Sequence, residues 1–374
     1  MRTRCSTLVP RGRFLQACLL AALIVTVAAA DPTAWGAGSR PSCAGLSATQ
    51  VSRKSRIVAK PHAVVVARGQ RDHTIKVAQG DHTDHVICGG AGDDEIEGGN
   101  ERDILVGGPG NDRIDGRRGP DLIVGDNYRT NGDAIGQTGR DARLYGGRGN
   151  EVIIGDNLAS GDATGGKPDR LGGNVGGETM VGDSAVTGSG TASGSADDWL
   201  AGMQGDDLVI GDSFAPGGTA MGGGHDVLNH ALDSVLMIGD SATLTGTASG
   251  GGNDELHGST GGDFHQQCDG CDNRLYGDSY ALTNDGSDWG IGNDLLTAGL
   301  GDQTYLDGQG SDPDAGGRGR TLCAGNTDGK NVAVACAVYK QIQQVRKVPE
   351  PPPPLSQLTR YGARWPFSST SPRP

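Results

Sequence analysis

Apolar residues recur every nine positions between residues 89 and 124. Ile96, Leu105, Ile114 and Ile123 each sit at the centre of a three-residue run, and six residues rich in glycine and acid separate one run from the next. The four nonapeptides, GGAGDDEIE, GGNERDILV, GGPGNDRID and GRRGPDLIV, stand in tandem with nothing between them. Glycine alone takes positive φ without a steric penalty, so the six-residue portions predict tight turns. The three residues after each turn predict a short strand whose middle side chain points inward. Each nonapeptide then reads as one turn of a stack, with one core residue per turn. Stacked at strand spacing, about 4.8 Å, such turns bury a continuous core and bring their loops into register.

One position in this block never changes. Asp94, Asp103, Asp112 and Asp121 all occupy the sixth place. In register, these carboxylates and the exposed loop carbonyls converge between neighbouring turns. Calcium takes about 6–8 hard oxygen ligands of this mixed kind. The Gly-Gly-x-Gly-x-Asp-x-apolar-x pattern resembles the RTX, or haemolysin-type, calcium-binding repeat family. The resemblance implies an all-β fold, a right-handed parallel β-solenoid of the calcium β-roll type, binding several Ca2+ ions.

The repeat continues in a longer form. A Gly-Asp-Asn or Gly-Asp-Ser triplet begins at residues 125, 155, 182, 211, 239 and 277, so the steps are 30, 27, 29, 28 and 38. Most steps hold about three nonapeptides with small insertions. Alignment of GGRGNEVII, GNVGGETMV, GMQGDDLVI and their neighbours gives further sixth-position acids as candidate metal ligands. These are Glu151, Asp169, Glu178, Asp198, Asp207, Asp226, Asp254, Asp263, Asp294 and Asp312. The matching inward residues are Ile153, Leu171, Met180, Leu200, Val209, Leu228, Leu256 and Leu296. Two turns depart from the pattern: 230–238 has Val235 in the sixth place and 298–306 has Gln303. The triplet acids Asp126, Asp156, Asp183, Asp212, Asp240 and Asp278 replace the second glycine. Either they add a ligand or they cap the turn by accepting nearby N–H groups.

Charge fits a cation. The chain of 374 residues carries −13, but residues 89–316 hold 39 Asp and Glu against 11 Lys and Arg, a net of −28. Acidic blocks of that density repel themselves, yet here the acids keep a fixed phase with apolar residues. Divalent ions would neutralise the repulsion and couple binding to folding. The same sign of charge argues against nucleic acid as a partner. With 66 glycines and 4% aromatics the chain is too poor for one large conventional core; a solenoid needs none, since each turn packs only on its neighbours.

The ends differ from the middle. Arg2, Arg4, Arg11 and Arg13 precede an apolar run from Phe14 to Ala30 that closes on Ala28-Ala29-Ala30, the order of a secretory signal peptide over 1–30. No second hydrophobic span follows, so no stable membrane span is expected. Six cysteines remain beyond residue 30, an even number in an exported chain, which suggests disulfides. Position groups them as Cys43–Cys88, Cys268–Cys271 and Cys323–Cys336; Cys268-Asp-Gly-Cys271 near His257 and His265 also admits zinc, although no second CxxC pair completes such a site. Residues 31–88, of which 43–88 carry net +4, read as an N-terminal cap, and 317–345 as a C-terminal one, both small and disulfide-pinned. The repeat solenoid spans 89–316, and the Pro/Ser-rich stretch 346–374 reads as a disordered tail.

Catalytic signatures are missing. There is no HExxH and no GxSxG. GDATGGKP at 161–168 has Pro168 where a phosphate-binding loop needs Ser or Thr for magnesium, and the periodic Gly-Asp-Ser triplets read as turns instead of esterase nucleophiles. The expectation is a secreted, non-catalytic calcium-binding module, structural or binding in role, with extracellular polysaccharide or the cell envelope as candidate partner. The alternatives are a calcium-dependent polysaccharide-active enzyme, which would draw on the loose cluster Arg140, Arg143, Arg148, Lys167 and Arg170, and a cell-surface adhesin.

Overall fold

A computed structural model describes residues 40–136, 143–258 and 272–282, and beyond them 287–289, 294–297, 303–307, 322–324, 330–334, 338–340 and 344–345. Among these residues there is no helix. Every strand pairing is parallel except one N-terminal hairpin, Ser42–Cys43 against Leu46–Ser47. The strands form two long sheets, one of 13 strands and one of 12, flanked by two sheets of six. This is a parallel β-solenoid.

Successive nonapeptides do not stack on one another. Val86–Cys88 lies in the first sheet, Glu95–Glu97 in the second, Ile104–Val106 in the first again, and Arg113–Asp115 in the second. Ile96 therefore sits on Ile114, and Leu105 on Ile123. One coil contains two nonapeptides, which corrects the reading of one turn per nonapeptide. A strand of three residues and a turn of six carry the chain through half a circuit, so each sheet receives every second strand. The core lies between the two sheets as facing columns. It contains Ile153, Leu171, Met180, Leu200, Val209, Leu228, Leu256 and Leu296, every inward residue expected from the pattern.

The two long sheets differ in how their outer faces are covered, and the sequence of each strand shows why. Strands of the second sheet alternate, as in Glu95–Glu97, Arg113–Asp115 and Glu255–His257, with only the central residue buried. In the first sheet Leu122–Val124, Val152–Ile154 and Val235–Ile238 are continuously apolar and buried throughout. Parallel strands covered on both faces read this way. The cover is an arm that follows each Gly-Asp-Asn/Ser triplet. It contributes two short strands per coil, such as Leu158–Ala159 and Ala163–Thr164. Tyr128, Leu158, Ala185, Phe214 and Tyr280 of the arm pack on Val124, Ile154, Val181, Ile210 and Ile238. Alanines, among them Ala134, Ala163, Ala192 and Ala220, fill the narrow space inside the arm. The arm is what stretches the coil: Leu122 pairs with Val152, and Val152 with Thr179.

The coil begins before the nonapeptides and continues past them. Gln50–Ser52, Val64–Ala67 and Val86–Cys88 join the first sheet, and Arg56–Ala59 and Thr74–Val77 the second. Strands from Leu322–Ala324 to Gln344–Val345 extend both sheets at the other end. Strands from both segments expected as caps thus continue the two long sheets; in the first segment Arg56–Ala59 and Thr74–Val77 bury every second residue without the glycine-acid turn. What lies across the coil is the N-terminal hairpin. Cys43 and Ala48 pack on Val66 at the outer face of the first sheet, and a disulfide joins Cys43 to Cys88. The hairpin covers the face that the arm covers later. Residues 1–39, including the expected signal at 1–30, lie outside the described residues, as do Asp263, Asp312, Cys268, Cys271, Cys336 and the tail 346–374.

Candidate metal sites

Most turns between the two long sheets deliver one acid at the same height in the stack. Because successive repeats alternate between sheets, the acids form two columns, one leading into each sheet. Asp94, Asp112, Asp169, Asp198, Asp226, Asp254 and Asp294 immediately precede second-sheet strands, while Asp103, Asp121, Glu151, Glu178 and Asp207 open the first-sheet strands. All twelve are buried. Asp94 is thus the neighbour of Asp112, not of Asp103.

A ladder runs along each column. The N–H of Asp94 donates to Oδ1 of Asp112 at 2.7 Å, and that of Asp103 to Oδ1 of Asp121 at 2.7 Å. Asp169, Asp198, Asp226 and Asp254 donate in the same way to Asp198, Asp226, Asp254 and Asp294. Glu178 donates to Oδ1 of Asp207. The ladder uses one carboxylate oxygen. The second oxygen, Oδ2, of Asp94, Asp112, Asp121, Asp198, Asp226 and Asp254 is buried with no hydrogen-bond partner, as are both side-chain oxygens of Glu151 and Glu178. A buried acceptor left unsatisfied costs about 1–3 kcal/mol, and more when it is charged.

The orphan oxygens face the first glycine of the repeat. A Cβ built on Gly89 would lie 2.5 Å from Asp94 Oδ2 and 2.8 Å from the carbonyl oxygen of Gly107, one coil on. On Gly116 it would lie 2.5 Å from Asp121 Oδ2 and 2.6 Å from the Gly146 carbonyl. The same cradle of one carboxylate and one carbonyl recurs at Gly98 and Gly146. Any side chain at the first glycine would fill it. The second glycine is needed for its backbone: Gly108 has φ 108°. Arg117 and Asn174 hold the same place left-handed, at φ 71° and 79°.

Burial pushes these carboxyls upward. Asp112 is raised from the ordinary 3.8 to about 8, and Asp121 to about 9, by desolvation first and then by neighbouring carboxylates. Glu151 and Glu178 move upward together for the same reasons. Among the described residues no lysine or arginine is buried beside them. Nor do three His, Cys, Asp or Glu side chains meet in the manner of a centre built from side chains alone. The available donor set is one carboxylate with backbone carbonyls, which suits a hard cation and not a transition metal.

Histidines stand where the columns end. His73 and His85 occupy the acid register one coil before Asp94 and Asp103. Their N–H groups donate to Asp94 Oδ1 and Asp103 Oδ1 at 2.6 and 2.7 Å, and their Nδ1 atoms lie 2.9 and 3.2 Å from the same oxygens. At 230–238 the pattern changes in two places together: His230 replaces the first glycine and Val235 the acid. His230 Nε2 lies 2.9 Å from Asp207 Oδ2, both side chains fully buried. An imidazole stands there where other turns leave a gap. The sequence signalled these histidines only as departures from the repeat. The backbone register further aligns Thr304, not Gln303, with Asn273, Val235 and Asp207, since the strand at Gln303–Asp307 pairs Gln303 with Asp272.

No helix of the described residues is long and apolar enough to cross a membrane. No curated protein matches the chain, and no solved structure does. The family model of the RTX calcium-binding nonapeptide repeat matches residues 89–123 and 193–214, in four copies. With those segments laid out as a stack of parallel strands and one buried acid in each matched turn, the chain carries the RTX calcium-binding nonapeptide repeat within its solenoid.

Proposed function

We propose that the protein is a secreted, non-catalytic calcium-binding scaffold whose coils are held together by Ca2+ at the two acidic edges. The observation that carries the reading is the orphan Oδ2 of Asp94, Asp112 and Asp121, each facing a glycine carbonyl of the next coil. Asp94, Asp103, Asp112, Asp121, Glu151, Asp169, Glu178, Asp198, Asp226, Asp254 and Asp294 would hold the ions, while Asp207 turns its Oδ2 to His230 instead. Asp263 and Asp312 join them from the sequence pattern alone. When bound, calcium supplies the positive charge that the buried columns lack, and its binding becomes folding free energy. The charged, apolar, small-residue order of residues 1–30 supports export, into surroundings where calcium is plentiful and the Cys43–Cys88 bond persists. Circular dichroism of the chain without residues 1–30 tests the reading: β signal should fall on chelation and return with calcium, and a spectrum indifferent to both refutes it.

One surface favours an extracellular polysaccharide as partner. On the open face of the second sheet Arg113, Arg143 and Arg170 stack in register and are followed by exposed Trp199. A linear anionic sugar polymer fits such a ladder. Retention on an immobilised uronic-acid polymer should fall for Arg143→Ala/Arg170→Ala, and equal retention removes this partner.

A further inference from the structure

The Gly-Asp-Asn/Ser triplets carry an acid that the nonapeptide lacks. Asp183, Asp212 and Asp240 are fully buried where the arm leaves the first sheet. Part of each carboxylate caps the turn. Asp183 Oδ2 accepts the Ala196 N–H at 3.2 Å, Asp240 Oδ1 accepts the Gly252 N–H at 2.8 Å, and Asp212 accepts that of Gly224 at 3.3 Å. A cap needs one oxygen. The other is left over in two of them: Asp183 Oδ1 and Asp240 Oδ2 are buried without a hydrogen-bond partner.

The backbone of each triplet runs beside the column. Gly182, whose missing side chain faces Asp198 Oδ2, immediately precedes Asp183 in the chain, and Gly239, facing Asp254 Oδ2, immediately precedes Asp240. Asp198 Oδ2 and Asp254 Oδ2 are themselves buried and unpartnered. Asp183 Oδ2 takes the N–H of Ala196, two residues before Asp198, and Asp240 Oδ1 that of Gly252, two residues before Asp254, so each triplet acid is tied to the turn that carries its column neighbour. Two buried acids side by side, neither fully used by the fold, are costly unless a cation joins them.

We propose that the long coils hold a second class of cation site, walled by two buried carboxylates instead of one: Asp183 with Asp198, Asp240 with Asp254, and by the same placement Asp212 with Asp226. The cation is a hard divalent ion, calcium. The proposal rests on the calcium reading above and adds the triplet acids to it. Two carboxylates balance the charge of one calcium, whereas the short coils at 89–124 offer one acid per turn. Affinity of such sites rises with ligand charge, so the two-carboxylate sites fill first.

Asparagine separates the ligand from the cap, because its remaining oxygen still accepts the Ala196 or Gly252 N–H. Radiolabelled calcium bound by the full chain is counted by equilibrium dialysis for wild type and Asp183→Asn/Asp240→Asn. The count should fall by two, and the tightest phase of the titration should weaken about tenfold, with the β spectrum in calcium retained. An unchanged count overturns the proposal and leaves the calcium reading standing; a wild type that takes up no calcium overturns both. Should the double variant not fold in calcium, the single Asp183→Asn serves, expected to lose one ion, and a full count refutes the proposal equally.

Discussion

Replacing Asp112 by asparagine should change stability with opposite sign in the absence and presence of calcium. Without metal, Asp112 Oδ1 accepts the Asp94 N–H and Oδ2 has no partner. Desolvation, with repulsion from Asp94 and Asp126, raises the carboxyl from 3.8 to about 8. A folded-state pKa above the unfolded one gives a contribution fully present below pH 3.8 and lost as the pH rises to about 8. At pH 7 the folded chain holds a proton that the unfolded chain has released. At about 1.4 kcal/mol for each pH step above 3.8, that costs at most about 4 kcal/mol. The usual penalty of an unsatisfied buried acceptor, about 1–3 kcal/mol, gives a lower figure of the same order. Asparagine keeps the Oδ1 acceptor, does not titrate, and directs its amide toward the Gly125 carbonyl that Oδ2 faces.

The metal-free variant should therefore be more stable than wild type by about 1–4 kcal/mol at pH 7. At pH 5 the ceiling falls to about 2 kcal/mol. In calcium the sign reverses. An ion present at about a hundred times its dissociation constant contributes about 2.7 kcal/mol, and the variant forfeits it. Urea unfolding followed by circular dichroism, in chelator and in calcium, reads both signs. The same sign in both conditions would refute the assignment of Oδ2 to a cation. Asp112→Ala is the control: it strands the Asp94 N–H and should be destabilising in both.

Three other outcomes follow from the geometry. His230→Gly restores the first glycine and frees Asp207, so dialysis should count one more calcium than wild type; an equal count shows that Val235 alone closes that site. Leu200→Ala, in the filled core between Leu171 and Leu228, should cost about 2–5 kcal/mol and lower the urea midpoint while leaving the calcium count of the folded chain unchanged. Reducing Cys43–Cys88, a bond across 45 residues, should cost at most about 4 kcal/mol on the chain-entropy scale; a midpoint that does not move would show the hairpin to be held by packing alone.

Phase along the chain was legible; which coil stacks on which was not. The nine-residue beat of Ile96, Leu105, Ile114 and Ile123 was enough to name twelve residues that lie in the core and twelve acids that prove buried, although it passed over Leu144, Met237, Leu275 and Leu306. The beat does not say whether a nonapeptide closes a whole circuit or half of one. Both arrangements put the apolar residue inside and the acid in a turn, and they differ only in which acid faces which. The strands themselves held a clue that periodicity passes over. EIE and RID alternate, whereas ILV and LIV do not, so successive nonapeptides face different surroundings and belong to different sheets. The histidines at 73, 85 and 230 escaped for a related reason. A repeat search registers them as mismatches, and only the stack shows that each imidazole stands against the carboxylate of an adjacent coil.

The arm joins these observations into one argument. An uncovered first sheet would leave its outer residues in water, as in the alternating second sheet. Inserting the arm allows Val124, Ile154, Val181, Ile210 and Ile238 to be apolar, and it requires them to be. The same insertion must leave the sheet by a turn, and the triplet makes that turn with an aspartate where the nonapeptide has its second glycine. Burying the sheet therefore buries a second acid beside the first. The hydrophobic gain along one face and the accumulation of charge along the adjoining edge are two results of one insertion, and they grow together with every added coil. A stack lengthened in this way becomes more dependent on divalent ions as its apolar core becomes larger. Deleting the arm from one long coil should therefore remove calcium and apolar burial together, whereas deleting a short coil should remove calcium from one-acid turns only.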